Sequence, residues 1–343
     1  MSGQASVWTP HDPVARAVRE RMALFALEAT AGLGKSVADL LGHPLSPHEE
    51  REFEDGEHKA RPLQPPLGRD VYVIQSLHSG PAMSANDKLC RLLFFIGALK
   101  DAGAARVTAV VPYLCYARKD RRTKPNDPVT TRYVAGLFEA VGTDVLLTLE
   151  VHNPAAFENA FRCRTVALTA TPLLAAHAKE LGDDELCVVS PDAGGAKRAE
   201  LLRETLEAVC GRPIRKAFAD KHRSAGVVTG DLLVGDVAGS TALIVDDLIS
   251  TGGTLLRAAK AARGAGARRV LALVTHGLFM PGSAAVLADP AIDKVVVTDS
   301  VPPFRLPGEA VREKLVVLPA APLLAEAIAR LHDGRALTDL IVF

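Results

Sequence analysis

The stretch "ALIVDDLISTGGTLLRAA" at residues 242–259 combines acids with a small-residue loop just before a helix. A loop that leads into a helix N-terminus can bind phosphate through backbone N–H groups, and glycines let the backbone approach closely. Asp246 and Asp247 would repel phosphate, so they make chemical sense only if they face hydroxyls or a metal ion. The string therefore predicts a phosphorylated sugar, with ribose hydroxyls on the acids and phosphate on the loop. The loop groups are Ser250, Thr251, Gly252, Gly253 and Thr254.

Other polar segments have plainer interpretations when each is taken alone. The run "RKDRRTK" at 118–124 is typical of a solvated face or an RNA-binding patch, although no aromatic residues interrupt it. His152 and Asp192 each follow an apolar run, where a structural histidine and a helix cap are common. Lys221 and Arg223 lie in a polar, glycine-containing stretch and can be surface charges. Asp246 and Asp247 can likewise cap a strand–helix turn.

The string at 242–259 resembles the phosphoribosyl-pyrophosphate-binding motif of type I phosphoribosyltransferases and of ribose-phosphate pyrophosphokinases. The segment "VVPYLCYARKDRRTKPNDPVTTRYVAGLF" at 110–138 resembles a pyrophosphokinase signature that the transferases lack. By this resemblance the segment binds ATP: Arg118 contacts the phosphates and Asp120 orders the loop. Lys119 belongs to the same ATP-binding segment and stands where the family usually has glutamine.

Two segments resemble the family's magnesium-binding elements. The first, "LTLEVHNPAAFENAF" at 147–161, implies that His152 helps to hold Mg²⁺, with Glu150 and Val151 in place of the family's usual pair. The second, "VVSPDAGGAKRAELL" at 188–202, supplies Asp192 as the other metal ligand. Few protein ligands and several substrate phosphates suit this small cation.

The resemblance also assigns a catalytic loop and an adenine site. "AFADKHRSAGVVTGDLL" at 217–233 resembles the family's mobile loop, in which Lys221 and Arg223 would stabilise charge on the transferring group. "REFEDGEHKARP" at 51–62 resembles an element that binds adenine from a neighbouring subunit. Phe53, Asp55 and Glu57 inherit that role, while a simple Asp-Gly hairpin turn is the plainer interpretation.

Together these motifs predict diphosphoryl transfer from ATP to ribose 5-phosphate, giving 5-phosphoribosyl 1-pyrophosphate and AMP. Arg118 joins Lys221 and Arg223 as a catalytic cation. Two alternatives stay open. One is a phosphoribosyltransferase acting on a nucleobase, favoured by Ser250 where the pyrophosphokinases more often have aspartate. The other is a non-catalytic regulatory relative that binds nucleotides.

The elements that must position these residues alternate between apolar runs and helical patterns, as in "VYVIQS" followed by "NDKLCRLLFFIGALKDAG". Short buried strands between amphipathic helices are typical of parallel sheets covered on both faces. "LKDAGAARVTAVVPY" and "ARGAGARRVLALVTH" echo each other, with an offset of 269 − 106 = 163 residues between Arg106 and Arg269. The sequence therefore predicts an α/β protein with two tandem type I phosphoribosyltransferase-like domains, each a mostly parallel sheet flanked by helices.

The predicted boundaries are an N-terminal arm at 1–20, a first domain at 21–168 and a second domain at 169–343 that carries the ribose 5-phosphate loop. A length of 343 residues favours two cores. A C-terminal segment at about 300–320 is expected to cross back to the first domain.

Composition limits the function classes. Lys plus Arg and Asp plus Glu are equal at 40 each, so no global charge attracts nucleic acid or an anionic membrane. Apolar runs are too short to span a bilayer. Five scattered cysteines without a C-x-x-C pair favour a reducing cytoplasm over a disulfide framework. The expected partners are ATP, ribose 5-phosphate and copies of the same chain, at least as a dimer, with hexamers frequent among relatives.

Overall fold

The computed structural model describes residues 21–183, 185–224 and 227–341, and the side chains of residues 220–232, 309 and 310 lie outside that description. The chain forms two compact units. Each is a sheet with helices, which confirms the predicted α/β class and its parallel sheets. Among the described residues, no helix is both long and apolar enough to cross a membrane.

The first unit contains a five-stranded sheet in the order β1-β4-β5-β6-β7, and the pairs from β1 to β6 are parallel. Its interior strands are almost fully buried, as their continuous apolar runs require. A separate antiparallel hairpin, β2 with β3, branches from it. The strands are β1 Met22–Ala26, β2 His48–Glu52, β3 His58–Pro62, β4 Asp70–Ile74, β5 Arg106–Val111, β6 Val145–Leu149 and β7 Arg164–Leu168. The helices are α1 Ala31–Leu41, α2 Ala85–Asp101, α3 Thr130–Ala140, α4 Pro154–Ala160 and α10 Ala321–Asp333.

The second unit contains a seven-stranded sheet in the order β10-β9-β8-β11-β12-β13-β14, parallel except for the β9/β10 pair. The central strand, β11, is buried along its first five residues. The strands are β8 Leu186–Ser190, β9 Arg215–Ser224, β10 Val227–Val234, β11 Thr241–Ile249, β12 Arg269–Gly277, β13 Lys294–Thr298 and β14 Leu315–Leu318. The helices are α5 Thr171–Glu180, α6 Ala196–Cys210, α7 Gly253–Gly264, α8 Ser283–Ala288 and α9 Glu309–Glu313.

Each unit contains its own ion pair at an equivalent place in the sequence repeat, which supports the internal repeat. In the first unit Asp144 accepts from the Lys100 ammonium at 2.9 Å and from a backbone N–H of β5 at 2.7 Å. In the second unit Asp293 accepts from the Arg263 guanidinium and from a backbone N–H of β12. The two cations are separated by 263 − 100 = 163 residues, the same offset as in the sequence repeat.

The boundaries between the units differ from the predicted ones in three places. Leu149–His152 and Leu168 belong to the second unit, although the predicted division would leave them in the first. The chain returns to the first unit at Ala321 instead of within 300–320. The reason is that β14 still pairs with β13, whereas α10 has contacts in the first unit: the Arg106 guanidinium donates to the Leu331 carbonyl at 3.1 Å.

Candidate functional site

The carboxylate pair lies near the carboxyl end of β11, between the parallel strands β8 and β12. Asp247 is only 5% exposed, and its backbone N–H donates to Asp246 Oδ1 at 2.9 Å. The carboxyl ends of parallel strands meet at one edge of a sheet, which is where open α/β proteins bind ligands. A buried acid and a partly buried one, side by side at that edge, need compensating charge.

Arg198, the third residue of α6, supplies much of that charge. Its side chain is 13% exposed, and Nε donates to Glu150 Oε1 at 3.1 Å. Its Nη1 lies 3.6 Å from Asp246 Oδ1 and 3.8 Å from Asp247 Oδ1. One guanidinium therefore lies within 4 Å of three carboxylates, one from Glu150 and two from adjacent residues of β11.

The environments of the two aspartates separate their pKa values. Burial raises the pKa of Asp246, and the neighbouring Asp247 carboxylate raises it further. Burial also acts to raise the pKa of Asp247, but the His152 hydrogen bond and the Arg198 charge outweigh burial and lower it. Burial lowers the pKa of Arg198, whereas Glu150 and the two aspartates more than offset that and raise it. Asp247 is therefore the firmly ionised acid of the pair, and a proton is held preferentially on Asp246.

Glu150 is held in an uncommon backbone conformation next to this cluster. Its φ is 47°, in the left-handed region that residues with side chains seldom adopt. Its N–H donates to the Leu168 carbonyl at 2.8 Å, and its side chain, 7% exposed, accepts from Arg198. This departure from the family pattern is therefore part of the ionic network.

His152 contacts the firmly ionised acid directly. Its Nδ1 lies 2.9 Å from Asp247 Oδ2, and 47% of its side chain is exposed. A carboxylate that accepts from one ring nitrogen fixes the tautomer and orients the other nitrogen, which is how metal-binding histidines are usually held. A cation would then bind through Nε2, so the donor chemistry of His152 fits the predicted metal.

Asp192 is a cap on the short 3₁₀ turn Ala193–Gly195. Its Oδ1 accepts from the N–H groups of Gly194 at 2.9 Å and Gly195 at 3.1 Å. The cap interpretation is thus confirmed, and the metal-binding role remains a prediction. Within the described part of the chain, no three His, Cys, Asp or Glu side chains converge on one point that could hold a metal ion. A magnesium ion here would take most of its ligands from substrate phosphates and water.

The loop before α7 has the features of a phosphate-binding turn. Gly252, the N-cap residue, has φ 84°, and a Cβ there would lie 2.8 Å from Val286 Cγ1, so only glycine fits. The N-cap provides no side-chain hydrogen bond to the first turn of α7. The first N–H groups of a helix have no intrahelical partner, so they can point at an anion. The backbone carbonyl of Ser250 accepts a hydrogen bond from the Met280 N–H at 3.0 Å, which holds the loop in place.

Arg257 adds a positive charge beside this loop. Its Nη2 donates to Thr254 Oγ1 at 3.2 Å, and its Nη1 would be 3.9 Å from a Cβ on Gly253. A guanidinium one turn into the helix, folded back toward the N-terminus, reinforces the positive end of the dipole.

The predicted ATP-binding segment belongs to the first unit. Arg118 and Lys119 are exposed, and the turn that carries them is closed by the Lys119 N–H donating to the Tyr116 carbonyl at 3.0 Å. Asp120 Oδ2 accepts from Asn153 Nδ2 at 2.8 Å, so Asp120 does tie the loop to a neighbouring segment. The contacts of these residues with nucleotide stay predictions.

The segment at 53–57 is the tip of the β2/β3 hairpin, as its Asp-Gly pair predicts. The Phe53 N–H donates to the Glu57 carbonyl at 2.8 Å, the Glu57 N–H donates to Asp55 Oδ1 at 3.0 Å, and Gly56 has φ 86°. Phe53 is 39% exposed with the Arg51 guanidinium 4.9 Å from its ring centre. An exposed aromatic ring at a hairpin tip is available to stack on a base, so the adenine-binding role stays a prediction with a suitable geometry.

Lys221 and Arg223 lie in β9, opposite Asp231 and Val228 of β10, so this part of the predicted loop is an antiparallel hairpin. Their side chains lie outside the described residues, and their catalytic roles stay predictions. A run of alternating polar and small residues with glycines resembles a loop in sequence, although an edge strand has the same composition.

Sequence reasoning missed three contributors to the site: the charge bridge by Arg198, the side-chain role of Glu150, and Arg257. Arg198 is separated from Glu150 by 48 residues along the chain, and His152 from Asp247 by 95. One signal was available in the sequence: Glu150, an acid directly after a strand, departs from the residue that the family usually has at this position.

Comparison with known proteins matches both units. Residues 22–142 match the family model of the N-terminal domain of ribose phosphate pyrophosphokinase, and residues 227–342 match that of the phosphoribosyl synthetase-associated domain. The chain is 39% identical over 320 residues to a ribose-phosphate pyrophosphokinase of Caldanaerobacter subterraneus subsp. tengcongensis, covering 92% of this chain and 96% of that one. It is 36% identical over 323 residues to the ribose-phosphate pyrophosphokinase of Bacillus caldolyticus, covering 94% and 98%. The crystal structure of phosphoribosylpyrophosphate synthetase from Mycobacterium smegmatis superposes with a TM-score of 0.81 at 32% identity, covering 92% of this chain and 99% of that chain.

Proposed function

Since this chain belongs to the ribose-phosphate pyrophosphokinase family, we propose how its residues perform the reaction that the family name describes. The enzyme transfers a diphosphoryl group from ATP to the anomeric hydroxyl of ribose 5-phosphate. The hydroxyl oxygen attacks the β-phosphorus and its proton is released to solvent, the bond from that phosphorus to the oxygen that bridges it to the α-phosphate breaks, and AMP leaves with that oxygen. Such a transfer needs no covalent intermediate with the protein, so catalysis depends on positioning and electrostatics.

The ribose 5-phosphate site is in the second unit, and one observation carries this assignment. The acid pair of β11 is in contact with Arg198 and His152 and lies a few residues before the glycine loop of α7. Asp247, kept ionised, accepts hydrogen bonds from the ribose hydroxyls, and Asp246 helps to orient them. The 5-phosphate occupies the start of α7, where Ser250, Thr251, Gly252, Gly253 and Thr254 provide N–H and hydroxyl donors.

The cation that suits this site is Mg²⁺. His152 and Asp192 would hold it, and when bound it would neutralise charge on the ATP phosphates. His152 is oriented for this by Asp247, which accepts from the opposite ring nitrogen. Asp192 Oδ1 accepts hydrogen bonds from its own 3₁₀ turn, so Asp192 would bind the metal ion through Oδ2.

Three cations would stabilise the charge that develops on the transferring group: Arg118, Lys221 and Arg223. Lys119 and Asp120 complete the ATP-binding segment with Arg118. Adenine is bound by Phe53, Asp55 and Glu57 of a neighbouring copy, which makes the working enzyme at least a homodimer. The pattern of five free cysteines suits a reducing cytoplasm.

The test is to incubate the purified chain with ATP, Mg²⁺ and ribose 5-phosphate and to follow AMP with a coupled assay. We expect AMP in proportion to ribose 5-phosphate, and none when either substrate or Mg²⁺ is omitted. Formation of ADP instead of AMP, or release of pyrophosphate only when a nucleobase and phosphoribosyl pyrophosphate are supplied, would show a different activity. No turnover in any of these mixtures would leave a regulatory relative.

A further inference from the structure

His276 is a buried, titratable residue that the mechanism above does not use. It lies in β12 opposite Leu248 of β11 and is 3% exposed. Its Nδ1 is 2.8 Å from Ser300 Oγ, and its Nε2 is 2.9 Å from the Leu149 carbonyl oxygen and 3.3 Å from that of Glu150. All of these residues belong to the second unit.

These partners fix the protonation of the ring. The Leu149 and Glu150 carbonyls can only accept, so Nε2 must carry a proton and donate to them. Burial lowers the pKa of His276, while the two carbonyls and the nearby charges of Asp247 and Glu150 raise it, and burial is the larger effect. The ring is therefore neutral, and Nδ1 is an acceptor. Ser300 is then the donor to Nδ1. Its hydroxyl thereby selects the tautomer that bonds the two carbonyls.

The two carbonyls belong to the segment that carries Glu150 and His152, whose side chains contact Arg198 and Asp247. Glu150 is the residue with φ 47°, and such a backbone persists only when surrounding contacts hold it. One residue later Val151 is buried at 4% exposure, and then His152 contacts Asp247. The His276 side chain therefore bonds the start of this turn, two and three residues before His152.

We propose that His276 is a positioning residue for diphosphoryl transfer: its Nε2–H holds the Leu149 and Glu150 carbonyls so that the strained turn aims Glu150 at Arg198 and His152 at Asp247. The proposal rests on the proposed function of the acid pair. His276 acts through other residues, because its side chain is buried in the sheet. Loss of the Nε2 donor lets the turn relax, which weakens ribose 5-phosphate binding and the orientation of His152.

The competing interpretation is that His276 merely satisfies polar groups in a core. A pair of variants separates the two. His276→Leu fills similar space without a donor, whereas His276→Gln places an amide N–H where Nε2–H was. Ile292→Ala is the matched control, because it removes buried apolar volume from the same unit, at 1% exposure, far along the sequence from the turn.

The first measurement is steady-state kinetics at a temperature where every variant is fully folded. Groups that orient a site residue from outside typically change affinity or activity by about 10- to 100-fold. We expect His276→Leu to raise the KM for ribose 5-phosphate within that range, His276→Gln to stay within about threefold of the wild type, and Ile292→Ala to leave KM unchanged. Equal kinetics of His276→Leu and Ile292→Ala, or equal impairment in His276→Gln and His276→Leu, would overturn the proposal.

The second measurement does not depend on activity. Hydrogen exchange of peptides covering 149–152 should accelerate in His276→Leu beyond the change in the rest of the unit, and should stay slow in His276→Gln. Should His276→Leu fail to fold, Ser300→Ala, which removes the donor to Nδ1, must show the same accelerated exchange. Unchanged exchange in folded His276→Leu, or in Ser300→Ala if His276→Leu does not fold, would refute the positioning role. Failure of the proposed function would instead appear as an absence of AMP with the wild type, while the exchange result still decides the role of His276.

Discussion

Replacing Arg198 by methionine is the sharpest perturbation of the site. Methionine keeps most of the side-chain length but removes the charge that bridges Glu150, Asp246 and Asp247 at 3.1, 3.6 and 3.8 Å. Breaking a buried ion pair by removing one partner destabilises a protein by about 3–5 kcal/mol, because an uncompensated charge stays behind. We expect a loss in that range for Arg198→Met, since its side chain is only 13% exposed and three acids lose a partner together.

The assay is hydrogen exchange of the β11 amides, which reports the stability of the second unit without requiring the whole chain to unfold in one step. Arg203→Met is the matched control on the same helix. Arg203 pairs with Glu200 at 2.6 Å and Glu207 at 2.5 Å, but on the surface, where ion pairs contribute little. The double variant Arg198→Met/Glu150→Gln should be less destabilised than the sum of its parts, with a coupling of about 0.5–3 kcal/mol. Equal effects of Arg198→Met and Arg203→Met would refute the bridging role.

Three further outcomes follow from the same geometry and charges. Asp247→Asn should raise the KM for ribose 5-phosphate by about 10- to 100-fold, because a hydrogen bond to a charged group contributes about 1.5–3 kcal/mol; an unaltered KM would remove Asp247 from the sugar site. Lys221→Ala should lower kcat by about 100- to 1000-fold, as for other groups that stabilise transition-state charge, with little change in the KM for ribose 5-phosphate; unchanged turnover would contradict the resemblance on which this role rests. Burial acts to raise the pKa of Asp70, but His332 and Arg106 outweigh burial and lower it. Its contribution to stability is therefore complete above pH of about 5 and is lost as pH falls below about 4, so the Tm difference between wild type and Asp70→Asn should shrink in acid; a constant difference from pH 7 to 3 would be evidence against the lowered pKa.

Much of the fold could be predicted from the sequence because its signals are local. Continuous apolar runs such as β11 and β12 specify buried parallel strands, and Gly252 before a helical pattern specifies the turn that opens α7. The Asp-Gly pair at 55–56 likewise predicted the β2/β3 hairpin tip. The repeat with its 163-residue offset predicted two similar units, and the equivalent ion pairs at Lys100 and Arg263 agree with it.

The remaining features depend on contacts between distant segments, which no local pattern encodes. In the sequence, Arg198 has the pattern of an ordinary residue in the first turn of a helix. Only the tertiary structure shows that its side chain is buried next to three acids. The β9/β10 hairpin was expected to be a loop, because glycines and charges suit an edge strand as well as a loop. The return of the chain at Ala321 depends on whether β14 joins the second sheet, and four residues of apolar sequence do not specify which sheet they join.

The central claim is that the phosphorylated sugar occupies the acid pair and the start of α7, and hydrogen exchange on peptides spanning 242–259 tests it most directly. Saturating ribose 5-phosphate should slow exchange of the amides at 250–255, and ribose without its phosphate should slow them much less. Protection that appears only elsewhere in the chain, or that is the same with either sugar, would contradict the account.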